Sequence, residues 1–178
     1  MALITLDQAK RQLDIASSDT SRDDELQLWV DATTSAVEKA RGEVVDQRRV
    51  TDELPVNGGR VILTAVPVTA LVSVTSVADG TTWDPSALHV TPATGELTVM
   101  SGRSLSGSVV VAYNAGYATP PANYVVAALI ILQHLWETRR GAQSIPMGGD
   151  NEMYVPQLGY AVPRRAVELL GLSLPGVA

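Results

Sequence analysis

Two histidines, two runs of carboxylates and two glycine pairs are the residues of this chain with types and spacing suited to chemistry. His89 and His134 stand far apart, and neither has a His-x-x-x-His or Glu-x-x-His companion, so neither a zinc nor a di-iron ligand set is present. His134 has Glu137 three places on, which reads as a pair on one helix face. Asp23-Asp24-Glu25 are consecutive, so on a helix they point in different directions and read as the acidic first turn. Asp150-Asn151-Glu152 reads as the polar part of a loop. Gly58-Gly59 and Gly148-Gly149 are not followed by Lys-Ser/Thr, which excludes a phosphate-binding loop. No serine sits in a Gly-x-Ser-x-Gly elbow, and Ser101-Gly102-Arg103-Ser104 reads as a turn. Cysteine is absent, which removes disulfides, thiolate ligands and thiol nucleophiles together. The expectation is a chain with no catalytic residue, no metal and no cofactor.

Composition narrows the class further. Phe is missing, so the core must come from Val, Leu, Ile and Ala with three Trp. A net charge of −6 argues against a nucleic-acid binder that relies on a basic patch. The first residues, MALITLDQAKRQLD, have neither the basic nor the apolar region of a signal peptide. The apolar run Val125–Leu132 is broken at Gln133 and His134, short of the roughly 20 residues a membrane span needs. A soluble, non-secreted protein with no membrane partner is expected.

The elements are legible from period and punctuation. Thr5 caps a first helix, with Gln8 completing a capping box, Ile4 as the preceding staple, and Leu6, Ala9 and Leu13 on one face to about Ile15. Ser21 caps a second helix, whose stripe Leu26, Trp29, Val30, Thr33, Val37 and Ala40 ends at Arg41-Gly42. From Val44 the period shortens. Val44–Thr51, Arg60–Thr64, Leu71–Val77, Leu88–Val90, Glu96–Met100 and Ser108–Tyr113 read as strands between turn signals. The stretch TTWDPSALHVTPATGELTV reads as a hairpin pair, with Trp83 near a turn and covering an end of the sheet. Pro120-Pro121 then opens a long helix, the most apolar of the chain, to Arg140 and the stop Gly141. Residues 142–162 form a loop whose Met147, Met153, Tyr154, Leu158 and Tyr160 are too apolar for a solvated linker. Pro163 starts a last helix, which Gly171 ends.

These elements predict an α+β fold: a bundle of about four helices (residues 1–43 and 116–178) with an antiparallel β-rich insertion (44–115) between the second and third. The third helix, 121–140, is the one apolar enough to serve as the bundle's strut.

Five pieces, taken in order, resemble tailed-phage head–tail connector (adaptor) proteins, in particular their longer members. They are ITLDQAKRQLDI, DDELQLWVDATTSAVEKARG, VVVAYNAGYATPP, HLWETRRG and PRRAVELLG. The resemblance covers most of the chain through an ordered set of pieces, none of which is a strict motif. It implies a structural virion protein, assembled in the host cytoplasm, that forms a ring of about twelve subunits beneath the portal. Such a ring extends the DNA channel and docks a stopper or other tail-side neck protein. About twelve copies at −6 would carry roughly −70, which suits a lumen through which DNA slides without specific binding. Subunit contacts are expected at Met147, Met153, Tyr154, Leu158 and Tyr160, and portal contacts at Leu172, Leu174, Pro175 and Val177. Two alternatives stand beside this reading. A stopper or tail-completion protein would be mostly β. A β-rich carbohydrate- or host-binding virion module would use Trp83 and Tyr113 as stacking residues.

Overall fold

The computed structural model describes residues 2–138 and 162–172. The chain divides into two compact units, a β unit of residues 42–120 and a helical unit built from the segments on either side.

In the helical unit, α1 (Leu6–Gln12) carries the expected cap. The Gln8 N–H donates to Thr5 Oγ1, and the Gln8 side chain accepts from the Thr5 N–H. The helix stops short of Ile15 because Asp14 turns left-handed at φ 54. That lets the Asp14 and Ile15 N–H groups return to the carbonyls of Arg11 and Lys10, a Schellman ending with Asp where Gly is usual. The second helix, α2 (Asp23–Arg41), begins two residues after the expected cap. Ser21 does not accept from the helix; its N–H and hydroxyl both donate to Asp19 Oδ1, at 3.0 and 2.6 Å. The buried stripe is Leu26, Val30, Thr33, Thr34 and Val37. Two threonines fit on it because each hydroxyl donates back to a carbonyl four residues earlier, and Thr34 Oγ1 also accepts the Leu3 N–H.

α3 (Ala122–Thr138) starts where the Pro pair places it, with the Pro121 carbonyl accepting the Tyr124 N–H at 3.0 Å. Tyr124, Ala127, Ala128, Ile131, Leu132 and Trp136 are buried along it, and it packs against α1, α2 and the short α4 (Arg164–Leu169). Polar ties fix these packings: Gln12 to Gln133 at 2.8 Å, Asn123 to the Leu169 carbonyl at 2.8 Å, and Arg41 to the Leu170 carbonyl at 2.8 Å. The Arg41 guanidinium also lies 5.3 Å from the centre of the Tyr124 ring.

The β unit holds two antiparallel sheets. One has the order β1 (Arg48–Pro55), β7 (Ser108–Ala115), β3 (Val68–Ser76), β4 (Thr82–Trp83); the other has β2 (Arg60–Ile62), β6 (Glu96–Val99), β5 (Leu88–Thr91). Central β7 alternates, sending Val109, Val111, Tyr113 and Ala115 into a core shared with Val61, Val74, Leu88 and Leu97. Each valine and leucine among these gains about 1.5–3 kcal/mol on full burial, so the strand register is strongly specified. The Gly58-Gly59 turn, both residues at positive φ, brings β1's end back into β2. Edge strand β1 is defended by Arg48, Arg49, Asp52, Glu53 and Pro55. β5 and β6 form a hairpin, but Trp83, in the first half of the expected hairpin pair, joins β3 instead.

The α+β expectation therefore holds, with the β-rich block between the second and third helices. Four helices among the described residues count against the mostly β fold that the stopper reading requires. Arg139, Arg140, Gly141 and all of the expected loop 142–162 except its last residue, Val162, lie outside the described residues.

Candidate functional site

The histidines do not converge on anything. His89 is exposed on β5 and His134 is exposed on α3, in different units. Glu137 accepts from Gln133 at 2.8 Å, the i,i+4 neighbour, in place of the expected pairing with His134. Among the described residues no group of three or more His, Asp or Glu side chains is placed to hold a metal ion. Asp23-Asp24-Glu25 form the first turn of α2, as their spacing requires. No helix among the described residues is long and apolar enough to cross a membrane.

Among the described residues of the helical unit the one buried cation is Lys10. It stands at i+4 from Leu6 and at the helical spacing of the apolar face, so its charge lies where a core residue is expected. Its side chain is only 4% exposed, and Nζ reaches Asp23 Oδ1 at 2.6 Å, the Asp19 carbonyl at 2.8 Å and the Ser17 carbonyl at 3.5 Å. An open cleft of about 570 Å³ adjoins it, lined also by Leu13, Arg22, Gln133 and Trp136. The amine is already saturated by three acceptors, so it is neither a base nor a nucleophile. Its role is to clamp the α1–α2 connection. Asp19 is held below the usual aspartate range by the Ser21 hydroxyl and N–H, another feature of the same turn.

The β unit contains a second polar network. The Tyr113 hydroxyl donates to Asp52 Oδ2 at 2.6 Å and accepts the Ala65 N–H at 3.0 Å. The same Oδ2 accepts from the Thr64 hydroxyl at 2.7 Å and the Thr64 N–H at 3.1 Å. Burial pushes the Asp52 carboxyl up, but these donors outweigh it and hold it below the ordinary value. Burial, and then the Asp52 carboxylate, push the Tyr113 phenol above its ordinary value. The network ties β1, β7 and the chain after β2 together. Tyr113 is fully buried. Trp83 is nearly so, with its indole N–H on the Arg103 carbonyl at 2.9 Å. Neither ring face is open to stack on a sugar, which removes the residues on which the carbohydrate-binding alternative depended. Hydrophobicity placed both rings in the core.

What the surface offers instead is isolated apolar side chains. Leu28 and Val126 are exposed on the helical unit, and Ile62, Val72, Val77 and Met100 on the β unit. Sequence reasoning passed over all of them, although Leu28 carried a signal: it is an aliphatic residue two places off the apolar stripe of α2. Of the expected portal contacts, Leu172 is half-buried and its N–H closes on the Val167 carbonyl at 3.1 Å. Leu174, Pro175 and Val177 lie outside the described residues, as do all five expected subunit contacts, Met147, Met153, Tyr154, Leu158 and Tyr160.

Comparison with known proteins gives a consistent picture. The family described as "Head completion protein" matches residues 2–172. A comparison with curated proteins returns no match. Among solved structures, the fold is similar to a chain in the neck of an empty GTA particle computed with C6 symmetry. The TM-score there is 0.66 at 13% identity, over 98% of this chain and 92% of that one. A chain in the neck of the native GTA particle computed with C12 symmetry gives 0.59 at 14% identity, over 97% and 90%. A chain in the virion of the native gene transfer agent particle gives 0.61 at 16% identity, over 82% and 84%.

Proposed function

This chain belongs to the head completion protein family, and from that premise we propose that it is a structural subunit of the neck of a phage-like particle. In this reading it is an adaptor, forming a ring under the portal, continuing the DNA channel and docking the next tail-side component. The observation that carries the reading is the family match over residues 2–172. The likeness to neck chains over nearly the whole length supports it, and the C6 and C12 symmetries of those assemblies support a ring of about twelve copies. The chemistry agrees: Lys10 and Tyr113, which are buried, and Asp52, which is half-buried, each complete a structural tie. Catalysis has no place in the proposal, and DNA passes through without specific contacts, in keeping with a net charge of −6. Met147, Met153, Tyr154, Leu158 and Tyr160 are proposed as subunit contacts, and Leu172, Leu174, Pro175 and Val177 as portal contacts.

The test is a producer strain from which the chain has been deleted. The reading expects heads that package DNA but lose it and carry no tail, with both defects corrected when the chain is supplied. Tailed, DNA-retaining particles made without the chain would reject it.

A further inference from the structure

Leu28 and Val126 are the two large apolar side chains exposed among the described residues of the helical unit, at 71% and 45%. The exposed neighbours of Leu28 on α2 are acidic, while α4, which packs on α3, carries two exposed arginines and one glutamate. Leu28 lies on the outer face of α2 between Asp24 and Asp31, both exposed, and α2 has no cation from Asp23 to Glu38. Gln27, bonded to Asp31 at 3.0 Å, adds a polar group to that face. Val126 lies on the first half of α3, which has no charged residue before Glu137. It is one turn on from Asn123, whose side chain ties α3 to the end of α4. On α4 the exposed charges are Arg164, Arg165 and Glu168. Arg164 remains 79% exposed because its approach to Glu168 is loose, at 3.8 Å.

We propose that these two surfaces meet between neighbouring copies. The acidic, leucine-centred face of α2 on one subunit would dock on the arginine-bearing α3–α4 face of the next, with Leu28 packing at Val126 and Asp24 and Asp31 facing Arg164 and Arg165. An apolar centre with complementary charged flanks is the composition that specifies register between protein surfaces. The two patches are different surfaces of one molecule, so the contact is head-to-tail. It repeats from copy to copy and closes as a ring when the rotation between copies divides the circle, whereas a self-complementary patch would stop at a dimer. The inference rests on the ring reading above and assigns that ring one of its interfaces.

The chain has no cysteine, so introduced thiols report unambiguously. Particles would be made with the full-length chain carrying L28C and V126C, with each single variant as control, and treated with a short bismaleimide crosslinker. The proposal expects a ladder of dimers, trimers and higher species from the double variant and none from either single variant. A second arm reverses the charges. D24K/D31K and R164E/R165E should each lower neck occupancy by at least about tenfold, and a chain carrying all four changes should regain it. Necks that contain the double-cysteine chain but give no ladder would overturn the proposal. So would dimers from L28C alone, or a fourfold charge variant no better than its parents. Absence of the unmodified chain from necks would instead sink the ring reading, and this interface with it.

Discussion

Replacing Lys10 by methionine tests whether a buried ammonium holds the α1–α2 connection or is merely tolerated there. The substitution keeps the unbranched stem and removes a donor 2.6 Å from Asp23 Oδ1 and 2.8 Å from the Asp19 carbonyl. Two charge-assisted hydrogen bonds are worth about 1.5–3 kcal/mol each. Against that loss, the variant no longer has to desolvate an ammonium, a saving of several kcal/mol. Asp23 is 27% exposed, so water recovers part of its lost interaction, while the Asp19 carbonyl loses its donor. The net expectation is a loss of about 2 kcal/mol. In urea, followed by far-UV circular dichroism, that is a midpoint lower by about 1 M; in a thermal scan it is about 4–8 °C. Arg103→Met is the control, because its pair with Asp79 is solvent-exposed and should shift the midpoint much less than Lys10→Met does. The Lys10 effect should also survive about 1 M salt, which screens the surface pair. A Lys10→Met protein within about 0.5 kcal/mol of the parent, or more stable, would refute the clamp.

Tyr113→Phe removes one donor from Asp52 and leaves the Ala65 N–H without its acceptor, and should cost about 2–3 kcal/mol in denaturant unfolding. Because the folded Asp52 carboxyl is held below its unfolded value, its contribution is present above about pH 4 and is lost as pH falls through the folded value. Asp52→Asn should therefore flatten the acid limb of a stability–pH curve, and an unchanged limb would contradict the network. Gly116→Ala should cost about 3 kcal/mol or more, since a Cβ there would lie 2.6 Å from the Asp46 carbonyl oxygen at φ +99. The open position Gly58 should lose only about 1 kcal/mol on the same change, read as paired urea midpoints. Trp83→Ala should cost about 3–5 kcal/mol and Trp83→Phe about 1–2 kcal/mol, the latter through the indole bond to Arg103.

Where a residue's own chemistry decides the local structure, the sequence was sufficient. The Thr5–Gln8 box, the Pro120-Pro121 entry to α3, the Gly58-Gly59 turn and the alternation of β7 were all readable for that reason. Where a side chain chooses between two local partners, it was not. Ser21 looks like a helix cap, but its N–H and hydroxyl both turn back to Asp19 Oδ1, and α2 begins only at Asp23. Asp14 ends α1 early by taking a left-handed conformation that Asp adopts less often than Gly. Pairing across distance was the least legible. Val44–Thr51 was read four residues ahead of the β1 that forms, because its register is set by β7, some sixty residues away. Lys10 has the spacing of a core position but the chemistry of a surface one, and only the fold brings Asp23 and two carbonyls to its amine. For the same reason Trp83 and Tyr113 could be imagined as a binding platform. Their burial comes from strands that meet only in the folded unit. Of the two side chains proposed for assembly, Leu28 departs from the apolar stripe of α2, whereas Val126 is hidden within the apolar run Val125–Leu132.

In the proposed function, copies of this chain form a ring in the neck. Electron microscopy of the particle's neck, with the chain's position marked by a small fused tag, is the test. The expected result is a closed ring of about twelve copies beneath the portal around an open channel, with the tag repeated at every subunit. Tag density at the tail tip or on the capsid surface, or a neck whose rings contain none of this chain, would contradict it.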